Sequence, residues 1–514
     1  MPGEPGTIAG VLRQQSRSRG DHPLLVCDDE RLGYAEADRR SAELARELIA
    51  RGAGKGTHVG LLYPNGADFV VGMLAVARIG AVVVPFSTFM TTGELHRQLV
   101  HSDTALLLSA NSFRSHDYVQ RLTELLGRID GELFHPAVPQ LRHVRVDSRN
   151  DPCADPDLLR AMEDDVDGSD VLTIVYTSGS TSTPRGVVHT HAALLGHQRN
   201  LNTIRGLSPQ DRLFCNSPFF WIGGLAFGLL ATLVAGSTLV CSNAADAGTV
   251  LDLIEAARPT VTNGFVSGIA HLAEHPSYPR RDLSSLRRGN LYPIMAPETR
   301  PADPELRHNM LGLTEAGSVL LISDDESDQP EHRRGSYGKP APGFQTTIVE
   351  PDTGRPVRSG VVGELCIRGP YVMQGYYKRS REQCFDADGW FHTGDLVRVD
   401  DDGFMYFVGR RSGMIKTGGA NVSAAEVEQA LANLGVTAHV FGLPDAQRGQ
   451  VVAAVIALPD TTANFDEEAL RDRLKTALSS YKIPRRFIAL PRTHIPLLSS
   501  GKVDLEGLKR LIGD

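Results

Sequence analysis

Residues 173–191 read TIVYTSGSTSTPRGVVHTH. A β-branched run ending at Tyr176 breaks into hydroxyls and glycine, then Pro184, Arg185 and Gly186. One reading is a phosphate clamp, in which hydroxyls and backbone N–H groups donate to anionic oxygens and the cation adds charge. The other is a solvated turn, since Ser, Thr, Gly and Pro are ordinary turn residues. The common phosphate-loop pattern G-x-x-x-x-G-K-[ST] does not fit, because Pro184 replaces its second glycine and Gly186 follows the cation. The surrounding sequence has to decide.

Upstream, GYAEADRRSAELARELIARG (33–52) repeats apolar residues at three and four, as an amphipathic helix does. THVGLLYPN reads as a buried strand, ADFVVGMLAVARIG as a helix and AVVVPFS as a second buried strand. Helices alternating with continuous apolar strands specify a parallel α/β sheet, and the alternation runs to about residue 290. After residue 340 the pattern changes. TTIVEPDTGRPVRSGVVGELCIRG offers short strands parted by Gly, Pro and Asp, which suits an antiparallel meander or small barrel. A smaller α/β unit follows: SAAEVEQALANLG as a helix, TAHVFGLPD and VVAAVIALP as strands, and FDEEALRDRLKTAL as a helix with Leu470, Leu474 and Leu478 a turn apart. The segment GRRSG (409–413) is the natural linker. The fold expected is therefore α/β, with a large domain at 1–409, stacked α/β sheets plus a small barrel, and a small domain at 410–514.

The bulk composition narrows the function. With 514 residues, 41% hydrophobic and 22% charged, the chain has the make-up of a soluble globular protein with more than one domain. A net charge of −8 argues against a nucleic-acid or anionic-membrane partner. The six cysteines, at 27, 153, 215, 241, 366 and 384, form no C-x-x-C pair and read as reduced thiols of a cytoplasmic protein. MPGEPGTIAG lacks the pattern of a signal peptide. The uncharged stretch IGGLAFGLLATLVAGSTLV (222–240) approaches membrane-spanning length. Its glycines and missing basic flanks favour a buried helix, a turn and a buried strand.

Four further stretches carry chemistry. LGLTEAG (311–317) sets an acid beside a hydroxyl after glycine, which suits magnesium or a helix start. In DGWFHTGDL (388–396), Asp395 can accept from ribose hydroxyls or cap a turn. GRRSGMIKTGGANVSAAEVE (409–428) and PLLSSGKVD (496–504) complete the set. Each is weak alone; in this order, with GELCIRGPYVMQGYY (363–377), they resemble the adenylate-forming superfamily of acyl-CoA synthetases, peptide-synthetase adenylation domains and beetle luciferases. The resemblance extends from residue 33 onward and is closest to an acyl-CoA synthetase.

What the resemblance implies is specific. Thr177, Ser178, Gly179, Ser180, Thr181 and Arg185 correspond to the loop around the β- and γ-phosphates of ATP. Thr314 and Glu315 correspond to the pair beside those phosphates, with Glu315 on Mg²⁺. Asp395 and Arg410 match the ribose-holding residues, and Lys502 the lysine of a mobile C-terminal domain that reaches the reacting centre. Lys416 and Gly419 match positions of the thiolation conformation, with Ser412 at the hinge. The implied reaction is ATP-dependent conversion of a carboxylic acid to an acyl-adenylate, pyrophosphate leaving, then transfer to CoA. The alternative is an adenylation-only enzyme serving a carrier protein or partner ligase.

Departures from the family pattern cluster at one wall. Ser182 and Arg185 replace the loop's usual Gly and Lys. Ile294 and Met295 stand for two glycines, Leu311 for the aromatic that stacks on adenine, and the intervening chain is short by a turn or two of helix. Trp221, in PFFWIGG, replaces a common His beside the acyl site, or is a plain core residue. Gly223 and Gly224 leave space and the shortened segment adds to it, which points to a bulky apolar acid bordered by Trp221, Gly223 and Gly312. His189, His191 and His197 lack acidic or cysteine partners and read as structural.

Overall fold

The computed structural model describes residues 5–146, 153–177, 185–264, 266, 269–411, 414–458, 465–496 and 503–512. Ser178, Gly179, Ser180, Thr181, Ser412 and Lys502 lie outside them. The chain divides into two compact units. The first comprises Met1–Thr88, Gln98–Tyr176 and Gly186–Gly409, and the second Phe89–Arg97, Thr177–Arg185 and Arg410–Asp514.

Apolar strands produce two mainly parallel sheets in the first unit, because strands buried on both faces need helices to cover them. One sheet runs Arg288–Gly289, Val261–Asn263, Arg212–Cys215, Thr238–Cys241, Pro23–Cys27, Glu30–Gly33, parallel except for its last hairpin. The other runs Gly375–Tyr376, Arg185–Thr190, Val171–Thr177, Val82–Pro85, His58–Leu62, Leu106–Ser109, His143–Val146. Helix Tyr34–Ala50 buries Tyr34, Ala37, Ser41, Leu44, Ala45 and Leu48, the three-and-four spacing of its sequence. Helix Ala67–Arg78 is buried on every face but one position. Both helices share one core with Leu61 of the second sheet and Leu25, Leu213 and Leu239 of the first.

The uncharged stretch at 222–240 folds as the sequence suggests. A π-helix, Gly223–Leu230, runs into helix Ala231–Ala235, Gly236 turns the chain at φ 71°, and Thr238–Cys241 is a buried central strand. No helix of the described residues is long and apolar enough to cross a membrane. Beyond it lies the hairpin Leu311–Leu313 with Ser318–Ile322. Strands Gln345–Val349, Gly363–Arg368, Phe391–Val399 and Met405–Arg410 then form the expected antiparallel meander.

The second unit is a five-stranded sheet in which Gly449–Leu458 pairs antiparallel with Ala438–Asp445 and parallel with Arg486–Pro491. Ser423 and Asp466 cap helices Ala424–Asn433 and Glu467–Lys475 through their side chains. Leu470, Leu474 and Leu478 fill its core. Lys482 is buried, its Nζ donating to Glu94 at 2.7 Å and Glu426 at 2.8 Å.

Candidate functional site

The LGLTEAG stretch folds as a strand, a single 3-10 turn at Thr314–Ala316, and a return strand. Gly317 closes the turn at φ 71°, where a side chain would be strained and its Cβ would stand 3.0 Å from Leu194. The turn presents Glu315 half-buried, and three contacts fix it. The Tyr376 hydroxyl donates to Glu315 Oε1 at 2.7 Å, the Met373 N–H donates to the Glu315 carbonyl at 2.8 Å, and His189 Nε2–H donates to the Thr314 carbonyl at 2.7 Å. One further anchor is His197, which donates to the Val319 carbonyl at 2.8 Å.

Burial keeps these histidines neutral. Desolvation pulls His189, His191 and His197 each down to about 4 from the ordinary 6.5. His191 Nδ1 accepts from the Ile8 N–H at 3.2 Å. All three therefore act as neutral struts, and two of them brace the hairpin whose turn carries Glu315.

Asp395 is fully buried in strand Phe391–Val399, and its turn is held by the preceding strand. Glu364 Oε1 accepts from the Gly394 N–H at 3.0 Å, and the Thr393 hydroxyl donates to the Leu365 carbonyl at 2.7 Å. The Asp395 charge adds to burial in raising the pKa of Tyr337. Asp395 belongs to the first unit and Arg410 begins the last segment of the second. Thr177 ends strand Val171–Thr177, and Arg185 begins Arg185–Thr190. Lys416 lies in strand Met414–Thr417, its N–H donating to Gln450 Oε1 at 3.0 Å, and Gly419 sits at φ 85° in the turn that follows.

On the side expected for the acid, Trp221 is half-buried and packs edge-on against Phe220 at 5.4 Å, just ahead of the π-helix. Gly224 is required there: a Cβ would lie 2.1 Å from the Pro218 carbonyl oxygen. Gly223 has no neighbour closer than 3.8 Å to such a Cβ, so it leaves space, whereas Gly312 would meet the Ser318 carbonyl at 3.0 Å. Ile294 and Met295 are buried in the core with Ile254, Leu286 and Leu291, and Leu311 in the core with Val187 and Leu313. The residues that replace the family's glycines and ring are thus packed inward. The shortened segment holds 3-10 turns at Pro297–Thr299 and Pro304–Leu306.

Sequence reasoning did not single out Tyr376, although it lies inside the quoted GELCIRGPYVMQGYY, because nothing local shows that its hydroxyl meets a carboxylate 61 residues away. Nor did it single out Glu364.

Comparison with known proteins gives the family. The chain matches the AMP-binding enzyme family over residues 12–377 and the AMP-binding enzyme C-terminal domain over 426–502. It belongs to that family. A feruloyl-CoA synthase from an Amycolatopsis species is 32% identical over 94% of this chain and 94% of its own length. The 3-[(3aS,4S,7aS)-7a-methyl-1,5-dioxo-octahydro-1H-inden-4-yl]propanoyl:CoA ligase of Mycobacterium tuberculosis is 32% identical over 98% of this chain and 99% of its own. Among solved structures, the amide bond synthetase McbA from Marinactinospora thermotolerans superposes with a TM-score of 0.79 at 26% identity, covering 98% of this chain and 99% of that one. The family member described here is an ATP-dependent ligase of the acyl-CoA synthetase type, which activates a carboxylic acid as its acyl-adenylate and passes it to CoA.

Proposed function

We propose that the acid is bulky and largely apolar and that the residues named from sequence act in the roles their positions suggest. The observation that carries the nucleotide and metal roles is the Glu315 turn, whose carboxylate is held at one oxygen by Tyr376 while Oε2 meets no partner among the described residues. That geometry fits Mg²⁺, which takes one or two protein carboxylates and fills its other positions with phosphate oxygens and water. Among the described residues no cluster of three His, Cys, Asp or Glu is arranged to hold a metal, so a single carboxylate sharing the ion with ATP suits this chain. When bound, the ion supplies charge stabilisation to the phosphates.

The substrate carboxylate attacks the α-phosphorus of ATP and pyrophosphate leaves, so negative charge gathers on phosphoryl oxygens. Catalysis of such a step is mainly positioning and electrostatics. Thr177, Ser178, Gly179, Ser180, Thr181 and Arg185 hold the phosphates, Thr314 and Glu315 stand beside them, Asp395 and Arg410 hold the ribose, and Lys502 approaches the reacting oxygens. Trp221, Gly223 and Gly312 border the acid. Lys416 and Gly419 serve the thiol step, with Ser412 as the pivot.

A second reading changes only the acceptor: the adenylate passes to an amine, a carrier-protein thiol or a partner. The likeness to an amide bond synthetase favours it. Incubation with ATP, Mg²⁺, CoA and a broad acid panel, read by mass spectrometry, separates the two. An acyl-CoA product supports the CoA reading; an adenylate that persists despite CoA supports the second. Absence of any acid-dependent pyrophosphate release refutes both.

A further inference from the structure

Inside the first unit a cavity of about 80 Å³ is walled by Phe227 of the π-helix, Asn263 at a strand end, and Met310 and Ile322 of the hairpin region. Met310 lies two residues before Gly312, and Phe227 lies four residues after Gly223. Two extended residues span about 7 Å, so Met310 and Phe227 carry the cavity wall in the same two chain segments as the residues assigned above to the acid. Its volume is well below the roughly 150 Å³ that accommodates a benzene ring, so it has room for a small substituent and not for a ring.

Much of the polar lining is already engaged. Arg307 pairs with Asp328, the Asn290 carboxamide both accepts from and donates to the Gly264 backbone, and Asp325 accepts from Ser327 and Gln329. Arg205 differs. Its guanidinium stacks on the Phe227 ring at 3.9 Å, and Nη2 donates to Asn202 Oδ1 and to the Phe227 carbonyl, both at 3.0 Å. Nε is buried without a partner, and no carboxylate of the described residues pairs with this side chain. The neighbouring cation Arg288 is turned to Asp211 and to the Arg205 and Gly206 carbonyls, so it adds repulsion. Burial accordingly pulls Arg205 down to about 9. Beside it, Asn263 Nδ2 reaches the Cys215 sulfur at 3.9 Å and no other acceptor among the described residues. Glu326 lines the exposed rim.

Arg205 is half-buried, but its Nε is sealed from solvent, and a cation sunk against a ring without a carboxylate gains from an oxygen acceptor that completes it. We propose that the cavity receives the far end of the acid, and that Arg205 selects acids bearing a second oxygen acceptor, a keto or carboxylate oxygen, remote from the reacting carboxyl. The proposal rests on the acid-activation reading and names the substrate class of that site. Arg205 is a specificity residue in this scheme and takes no part in the bond changes.

The test uses the purified full chain and ATP–pyrophosphate exchange with three acids of one skeleton: 3-phenylpropanoic acid and its 4-acetyl and 4-carboxy derivatives. A charge-assisted hydrogen bond predicts a preference for the acetyl or carboxy acid of about tenfold or more in kcat/KM. Which of the two leads tells a keto from a carboxylate partner. In Arg205→Met the preference should fall to near unity, and in Arg205→Lys it should partly return. A wild-type enzyme that favours the unsubstituted acid overturns the proposal without any variant, as does a folded Arg205→Met that keeps the preference. If exchange proceeds with every acid at similar kcat/KM, this inference fails and acid activation stands. Failure of all acids, in this set and in the broad panel, overturns acid activation and this inference with it.

Discussion

Replacing Tyr376 by Phe removes one oxygen and leaves the ring, which is buried and packs edge-on against Phe391 at 6.2 Å. The oxygen removed is the donor that holds Glu315 Oε1 at 2.7 Å. Hydrogen bonds to charged groups contribute about 1.5–3 kcal/mol, and each 1.36 kcal/mol is tenfold in rate, so the expected loss is about 12- to 150-fold. The backbone bonds to Glu315 and Thr314 from Met373 and His189 remain, so the turn keeps its place while the carboxylate gains freedom to rotate. ATP–pyrophosphate exchange measured across a range of Mg²⁺ concentrations is the appropriate assay. The half-saturating Mg²⁺ should rise and the plateau rate fall, with circular dichroism unchanged. Exchange within twofold of wild type at every Mg²⁺ concentration would refute the role given to this hydroxyl.

Three other outcomes are expected. Lys502→Ala should slow acid-dependent pyrophosphate exchange by on the order of 10²–10³, as loss of one preorganised charge does; near-normal exchange would remove Lys502 from the site. His189, His191 and His197, each lowered to about 4 in the fold, bind fewer protons than the unfolded chain between about pH 4 and 6.5. Their stability contribution is therefore present above pH 6.5 and lost as pH falls towards 4, about 1.3 kcal/mol per histidine between pH 7.5 and 5.5, and urea unfolding at those two pH values checks it. Lys482→Met should destabilise the protein by about 3–5 kcal/mol, because the Glu94 and Glu426 carboxylates stay buried without their cation. A urea midpoint unchanged in Lys482→Met would contradict that pairing.

Periodicity made much of the fold legible. Helix Tyr34–Ala50, the apolar strands on either side of helix Ala67–Arg78 and the leucines of Glu467–Lys475 lie where their spacing places them, because an apolar stripe must meet a core. The N-terminal helix Ile8–Arg19 escaped that reading: its buried Ile8, Ala9, Val11 and Leu12 occupy only the first turns, and polar residues follow. The hairpin Pro23–Gly33 is equally quiet, with Glu30 and Arg31 exposed in its second strand. At the site, the order of the motifs pointed to the Thr-Glu stretch and to Asp395, which the structure places in a 3-10 turn and in a buried strand position.

Local sequence thus determined which segments are helix or strand and which family the chain joins, since each depends on neighbours within a turn or a strand. The tertiary structure alone decided that Tyr376 holds Glu315, that His189 supports Thr314 across 125 residues, and that Arg205 stacks on Phe227 with no carboxylate partner among the described residues. These are contacts between distant segments, fixed by the order of strands in a sheet and by what packing leaves unpaired. A hydrogen bond of that kind has no period along the chain, and a missing counter-ion is visible only once every neighbour is in place.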